Sequence, residues 1–444
     1  MKIKTFKKGG IHPPENKLTA TMPICSLPVA PELCLYLSQC IGAPSKAVVK
    51  TGDKVSAGQL IAEAGGFVGA PIHSPVNGTV GKIELKRSAQ GFWQEAISIV
   101  PDAEAPLENN FISRTEEEIK NLTPEDIRNI VGNSGIVGLG GATFPTKVKL
   151  TVPQGKKAEY ILINGAECEP YLTCDDRLMQ ESPDEIVKGG VLLLRAAEAA
   201  KIIIGIEDNK PQAIRDIQEA VTKNGLNDQI STVPLKKKYP QGSEKQLIKA
   251  LTGKTVPAGG LPIDTGCIVD NVATAFAVYE AVYLNKPLFE RILTVSGKGF
   301  EKPGNYRVIN GTPVEFILQQ CGGLPQSYEE GKLIAGGPMM GRAVSDLSSY
   351  ATKGLSGLVF LQATETLRRD VLPCIRCSKC ITVCPMGLEP YLFMMLAGAK
   401  DWDTMNRHGV MNCLECGCCS YACPASRPLL DMIKLGKQEL RKRK

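Results

Sequence analysis

The stretch "AEYILINGAECEPYLTCDDR", Ala158 to Arg177, organises the middle of this chain. Its first half, "AEYILING", reads as a β-strand: aromatic and β-branched residues closed by a turn-forming Asn-Gly pair. The strand opens straight into a loop bearing Asn164, Glu167 and Glu169. Toward the C-terminus, helix and strand signals alternate. "SPDEIVKGGVLLLRAAEAA" is predicted helical, with Ser182 and Glu185 as a capping box. "KIIIGIED" is a strand, "KPQAIRDIQEAVTKNG" a helix closed by Gly225, and "ISTVPLK" a further strand. Toward the N-terminus, "TPEDIRNIV" opens a helix, with Thr123 as cap, Pro124 in the first turn and acids near the positive end of the dipole. Such alternation implies an α/β unit with a mostly parallel sheet, and those sheets bind ligands at the carboxyl ends of their strands. Asn164, Glu167 and Glu169 stand at that place.

Upstream of the strand lies "GLGGATFPTKVK", Gly138 to Lys149. Tight glycines let a backbone approach a phosphate or a ring face, and exposed amides there hold an anion. Gly138 and Gly140 fit a dinucleotide fingerprint, but Thr143 occupies the third glycine's place and the stretch follows a helix rather than a strand. Alone, it reads equally well as a glycine-rich turn. The carboxylates of Glu167 and Glu169 can accept hydrogen bonds from a ribose or a nicotinamide carboxamide. The alternative for that loop is an Asx-type turn with solvated acids. Downstream, "YPQGSEKQLIKALTG" and "DTGCIVDNVATAFAVYEAV" supply Gly242, Glu244, Asn271 and Thr274 at element ends. Each of these, taken singly, is an ordinary cap.

The strongest motif is near the C-terminus. "CIRCSKCITVCP", Cys374 to Pro385, is echoed by "CLECGCCSYACP", Cys413 to Pro424. Cys374, Cys377 and Cys380 are spaced so that one loop wraps three corners of a cubane. Cys384 follows before a proline, and in motifs of this type the fourth cysteine ligates the other cluster. One [4Fe–4S] cluster is therefore assigned to Cys374, Cys377, Cys380 and Cys423, the other to Cys413, Cys416, Cys419 and Cys384. Structural zinc is the competing reading, but it favours two separated CxxC pairs over three tight cysteines and a CP. Cys418 is a spare thiol beside Cys419, and the register shared with the first motif favours Cys419. The intervening "PMGLEPYLFMMLAGAKDWDTMNRHGVMN" has a helical composition, so a helical two-cluster domain fits better than a compact β-containing ferredoxin.

Composition agrees with thiolate chemistry. The chain has 444 residues, 16 cysteines and only three histidines, His12, His73 and His408. Its net charge of +6 asks for no nucleic-acid partner. "MKIKTFKKGGIHPP" lacks the apolar stretch of a secretory signal, and the best apolar run, "VLLLRAAEAA", is broken by Arg195 and Glu198. These features predict a soluble or peripheral chain with reduced thiols. "KQELRKRK" forms a basic tail, read as solvated or as lying near an acidic membrane surface.

Two further modules are legible. Between about 40 and 100, "AVVKTGDKVSAGQLIAEA" and "APIHSPVNGTVGKIE" resemble the biotinyl/lipoyl barrel-sandwich fold. Carriers of that family place a lysine at a hairpin tip; here the place reads "GGFVGA", Gly65 to Ala70, so the module is structural. "RILTVSGKGFEKPGNYRVINGTPVEFILQQCGG" reads strand, turn, strand, helix and resembles the soluble-ligand-binding β-grasp domain. "SDLSSYATKGLSG" then reads as a link to the cysteine-rich end.

Taken in order, "GLGGATFPTKVK", "NGAECEP…DDR", "YPQGSE" and "DNVAT" resemble the flavin and NADH motifs of the NADH-binding flavoprotein subunit of respiratory complex I. The whole chain, with "GGIHPPENK" and "NGAECEPYLTCDDRLM" especially close, resembles the C subunit of the Rnf ion-translocating ferredoxin:NAD⁺ oxidoreductase complex. The resemblance implies a multidomain α/β chain. Residues 1–110 form an N-terminal segment and lipoyl-like barrel-sandwich β-domain, and 111–288 a Rossmann-like FMN/NADH core. Residues 289–345 form the β-grasp domain, 346–370 a linker, and 371–444 a helical two-[4Fe–4S] ferredoxin-like domain. It implies FMN held by Gly138, Gly140, Lys149, Asn164, Asn271 and Thr274. It implies NADH stacked near Phe144, with Glu167, Glu169 and Glu244 near its polar groups and Gly242 in the same frame. Ala166 and Ser243 depart from the complex I pattern, where acids stand. The implied partners are an iron–sulfur subunit and integral membrane subunits, with ferredoxin indirectly, at the cytoplasmic face of the membrane. Nicotinamide exchanges two electrons and a cluster one, and a flavin converts between them. A soluble flavin–iron–sulfur dehydrogenase, or a cluster-carrying scaffold without flavin, remain the alternatives on sequence alone.

Overall fold

The computed structural model describes residues 2–102, 111–325, 328–367 and 369–443, so Lys444 of the basic tail and the expected domain boundary at 110 fall outside them. At its centre is a four-stranded parallel sheet. Its strands are Tyr160–Gly165, Lys201–Glu207, Ile230–Leu235 and Cys267–Asn271. In space they run Ile230, Lys201, Tyr160, Cys267. Alternate side chains serve two cores. Ile161, Ile163, Ile202, Ile204 and Ile268 pack with Val187, Leu193, Val272 and Val278 of the helices Pro183–Ala196 and Val272–Tyr283. Leu162, Ile203 and Leu235 pack with Leu247 and Leu251 of the helix Glu244–Thr252. A sheet covered on both faces needs apolar residues at successive positions, and "YILI" and "KIIIGI" supply them.

Thr123 caps the helix Pro124–Asn133, as its sequence predicts, and with Asp126 forms a reciprocal capping box. The box expected at Ser182 does not form. The helix Pro183–Ala196 begins there, but the Ser182 side chain makes no cap bond, and its amide closes the preceding helix, Cys174–Glu181, on the Leu178 carbonyl, which takes it away from Glu185.

The N-terminal module is a sandwich of two small sheets. One contains Leu33–Tyr36, Trp93–Pro101, Gly78–Arg87 and Lys54–Val55; the other contains Lys46–Ala47, Leu60–Glu63 and Ile72–His73. Leu35, Ile61, Ile72, Ile97 and Ile99 fill the space between them.

The β-grasp unit is a six-stranded sheet, and it corrects the expected linker. Gly357–Leu361, within the stretch read as a link, is an interior strand lying between Glu290–Gly297 and Lys332–Ala335. Its Leu358, Val359 and Phe360 are buried, which is why the chain turns back into the sheet. The opposite edge is completed by Ile24–Ser26, parallel to Gly304–Ile309.

The cysteine-rich end is helical, as composition predicts, with Pro390–Gly398, Trp402–Arg407 and Leu429–Lys442 around Phe393, Met405 and Ile433. Among the described residues, no helix is long and apolar enough to cross a membrane.

Candidate flavin and thiol sites

The chain lays down the Tyr160, Lys201 and Ile230 strands in one direction, then returns to the far side of Tyr160 with the Cys267 strand. Order therefore reverses between the Tyr160 and Cys267 strands, and in open α/β sheets the crevice at such a reversal is the ligand site. Asn164 and Asn271 sit abreast in the register there. Asn164 Nδ2 donates to the Gly242 carbonyl at 2.9 Å, and its Oδ1 accepts from the Ala166 amide at 3.1 Å. Asn271 caps the helix Val272–Tyr283 by accepting from the Ala273 amide at 2.8 Å. Its Nδ2 donates to Asp175 at 2.6 Å and to the Asn164 carbonyl at 3.4 Å.

The glycine-rich loop folds over the same crevice. The Gly138 amide donates to the Phe144 carbonyl at 2.9 Å, and the Leu139 amide to Thr274 Oγ1 at 2.9 Å. A Cβ on Gly140 would stand 3.1 Å from the Cβ of Asn271, so the loop backbone rests on that side chain. Phe144 is half-buried. Lys149, on the short helix Thr146–Leu150, donates to the Val269 carbonyl at 2.7 Å and lies 3.5 Å from Asp270. Asp270 is buried, and neither oxygen has a hydrogen-bond donor besides that ammonium. Burial raises the pKa of Asp270 and of Glu244, with Lys149 opposing in both cases. Asp270 was not singled out from the sequence; its only signal is its place beside Asn271 at a strand end.

The two acids of the loop after Tyr160–Gly165 differ. Glu167 accepts from the Asp175 amide at 2.8 Å, and its other oxygen is 3.8 Å from the Lys17 ammonium. Burial raises its pKa. Glu169 points instead to the β-grasp unit, where its two oxygens accept from the Met339 and Met340 amides, each at 2.9 Å. Lys17 donates to the carbonyls of Glu167, Glu169 and Leu172 at 2.9, 3.0 and 2.5 Å. The crevice thus gathers Gly138, Gly140, Lys149, Asn164, Gly242, Glu244, Asn271 and Thr274, while Glu169 is held apart by its own partners.

The thiols form the second site. Cys384, Cys413, Cys416 and Cys419, with Cys418, line a pocket walled by Pro385, Phe393 and Ile433. Cys380 and Cys423 are half-buried and close enough for the charge of one to act on the other. Cys374 and Cys377 are exposed, and the Leu372 amide donates to the Ala425 carbonyl at 3.1 Å, which ties the start of the first motif to the end of the second. Cys384 of the first motif is thus grouped with the thiols of the second, and Cys423 of the second lies near Cys380 of the first. The thiol pocket abuts the α/β core: Tyr239 Oη donates to the Cys416 carbonyl at 2.8 Å, and Gln246 Nε2 to the Pro385 carbonyl at 3.2 Å.

Comparison with known proteins gives the same division. Residues 4–104 match the RnfC barrel sandwich hybrid domain and 131–280 the Nuo51 FMN-binding domain. Residues 292–343 match the SLBB domain and 366–424 the 4Fe-4S dicluster domain. The chain is 42% identical over 439 residues to the C subunit of the ion-translocating oxidoreductase complex of Rhodobacter capsulatus, covering 98% of this chain and 83% of that one. It is 40% identical to the C subunit of the Na(+)-translocating ferredoxin:NAD(+) oxidoreductase complex of Acetobacterium woodii, covering 99% and 98%. It is also 40% identical to the C subunit of the proton-translocating ferredoxin:NAD(+) oxidoreductase complex of Clostridium ljungdahlii, covering 99% and 94%. The residues suit the groups such domains carry. A lysine beside side-chain-free glycines accommodates a phosphate, and the orphaned oxygens of Asp270 await hydroxyl or amide donors. Of the five thiols around that pocket, Cys384, Cys413, Cys416 and Cys419 make up a cluster's four-sulfur donor set.

Proposed function

Because the chain belongs to the C-subunit family of ion-translocating oxidoreductase complexes, we propose that it exchanges electrons between NAD(H) and its two clusters through FMN at the sheet crevice. The observation that carries this reading is the meeting of Asn164, Asn271, Gly140 and Lys149 at the strand-order reversal. FMN, when bound, accepts a hydride's two electrons and releases them singly. The chain's own residues bind and orient. Gly138 and Gly140 admit the cofactor without side-chain obstruction, Lys149 balances its phosphate charge, and Asn164, Asn271 and Thr274 fix the surrounding backbone. Glu167, buried and close to Lys17, faces the nucleotide's polar groups, and Phe144 offers a ring for stacking. Cys384, Cys413, Cys416 and Cys419 hold the inner cluster, and Cys374, Cys377, Cys380 and Cys423 the outer one.

The test is anaerobic: quantify FMN and iron in the purified chain, add NADH, and follow flavin and cluster absorbance. Cys377→Ala should abolish one cluster's paramagnetic resonance signal while NADH still bleaches the flavin. Loss of both would show that the sites are not separable as proposed.

The partners are the other subunits of a membrane complex, with this chain docked peripherally on the cytoplasmic face. Its relatives' place as subunits of ion-translocating complexes supports that arrangement, as does the lack of a membrane-crossing helix among the described residues. Recovery of the tagged chain without any integral membrane subunit, from gently solubilised membranes, would favour a soluble dehydrogenase instead.

A further inference from the structure

The segment Lys4–Lys17 supplies no proposed ligand to FMN or cluster, yet it touches both sites. Its start extends the core sheet: the Lys4 amide donates to the Pro234 carbonyl at 3.0 Å, and the Lys236 amide to the Lys4 carbonyl at 2.8 Å. Gly9 lies on the thiol side, at φ +66°, where a Cβ would overlap the Cys384 carbonyl and stand 2.7 Å from the Pro385 nitrogen. The Gly10 amide donates to the Val383 carbonyl at 2.8 Å, and Ile11 and Tyr239 exchange both main-chain bonds at 2.8 and 2.9 Å. Lys17 lies on the flavin side, with its ammonium on three carbonyls of the Glu167–Leu172 loop. Between these ends Ile11, Tyr239, Cys416 and Cys418 are buried together, with Cys168 and Met339 against them. Tyr239 Oη reaches the Cys416 carbonyl, while the nearby Gly242 amide points at Cys168 Sγ, 3.4 Å away.

We propose that this N-terminal strap is the positioning element for electron transfer between the flavin and the cluster of Cys384, Cys413, Cys416 and Cys419. The route is the buried junction at Tyr239, and Gly9 sets its width. The inference rests on the flavin and cluster assignments proposed above. Each crossing removes one electron from the reduced flavin and adds one to the cluster, which hands it to the cluster of Cys374, Cys377, Cys380 and Cys423 before the next; two crossings account for one hydride, whose proton leaves to water. Single-electron transfer weakens steeply with separation, so the step needs a packed, water-free contact held from both ends. The strap supplies both ends: Lys17 fixes the flavin loop and Gly9 admits the cluster loop at backbone contact.

The experiment compares Gly9→Ala with Gly225→Ala, a control that shares a φ of +66° but has open space around it. Holo-chain is mixed anaerobically with NADH while flavin and cluster bleaching are followed separately, and the dithionite-reduced chain is examined by paramagnetic resonance. Gly9→Ala should leave flavin reduction unchanged, slow cluster reduction by about tenfold or more, and alter the signal of one cluster alone. The control should change none of these. If Gly9→Ala loses iron, Ile11→Ala carries the test, with the same split between flavin and cluster expected. Cluster reduction that keeps pace with flavin reduction, or equal slowing of both, overturns the proposal. If NADH fails to bleach the flavin of the unaltered chain, the proposed function falls instead. The strap is then judged by the dithionite-reduced signal, which Gly9→Ala must alter in one cluster and not the other.

Discussion

Asn271 serves two purposes with one side chain: it caps a helix, and it lies under the glycine loop where FMN is proposed to bind. Asn271→Ala should lower stability by about 1–2 kcal/mol through the lost cap, and should also release most of the FMN. Denaturant unfolding and flavin content measure the two effects separately; full flavin retention would reduce the residue to an ordinary cap. Glu169 gives a pH dependence. Burial lifts its carboxyl from 4.5 to about 7, against the Met339 and Met340 amides that favour the ionised form. The native state is therefore the better proton binder. This contribution to stability is complete below pH 4.5 and is lost as pH rises through about 7, a change of about 3 kcal/mol. Glu169→Gln cannot ionise, so unfolding measured on either side of that window should show the wild type declining relative to the variant. Parallel profiles would refute the assignment. Neither Lys17 nor Asp270 was legible as a site residue. Lys17 meets its partner carbonyls 150 to 155 positions away, and Asp270 stands out only through its missing donors.

The helices Pro183–Ala196 and Val272–Tyr283 cross behind the crevice at Gly189, where a Cβ would overlap the Ala275 carbonyl. Gly189→Val should force the pair apart at a cost of about 1–3 kcal/mol, visible as a lower denaturant midpoint with an unchanged slope. An unshifted midpoint would mean that the helices can part freely there. The strands Tyr160–Gly165 and Lys201–Glu207 were readable because their apolar runs are short, rich in isoleucine and bounded by turn residues, and Ile230–Leu235 because Ile, Thr and Val are β-branched. Gly357–Leu361 was not. Five residues beside a glycine- and serine-bearing stretch carry no periodicity, and only the neighbouring strands reveal that this run completes a sheet. The missed cap at Ser182 has a similar origin. "CDDRLMQE" sits inside a loop-like motif, so the helix whose end claims Ser182 went unseen.

The molecule brings two kinds of redox site together across a junction to which the strap, the core, the β-grasp unit and the tail all contribute. The tail has its own apolar centre at Phe393, Met405 and Ile433, but residues 371–378 are exposed and lack regular structure. Stripping iron with a chelator should therefore raise amide exchange around Cys374–Ser378 and Cys413–Cys419 and leave the strands Tyr160–Gly165 and Lys201–Glu207 protected. Uniform exchange across the chain would mean that the clusters stabilise the core as well. The strap has a consequence for biogenesis. Residues 4–17 leave the ribosome before their partners Tyr171, Pro234, Tyr239 and Val383. Gly9 and Gly10 cannot meet Cys384 and Val383 until that stretch has been made, so the first thiols emerge while this part of the clasp is still open to the machinery that delivers iron and sulfide. Maturation then closes in reverse, with the segment translated early fastened last.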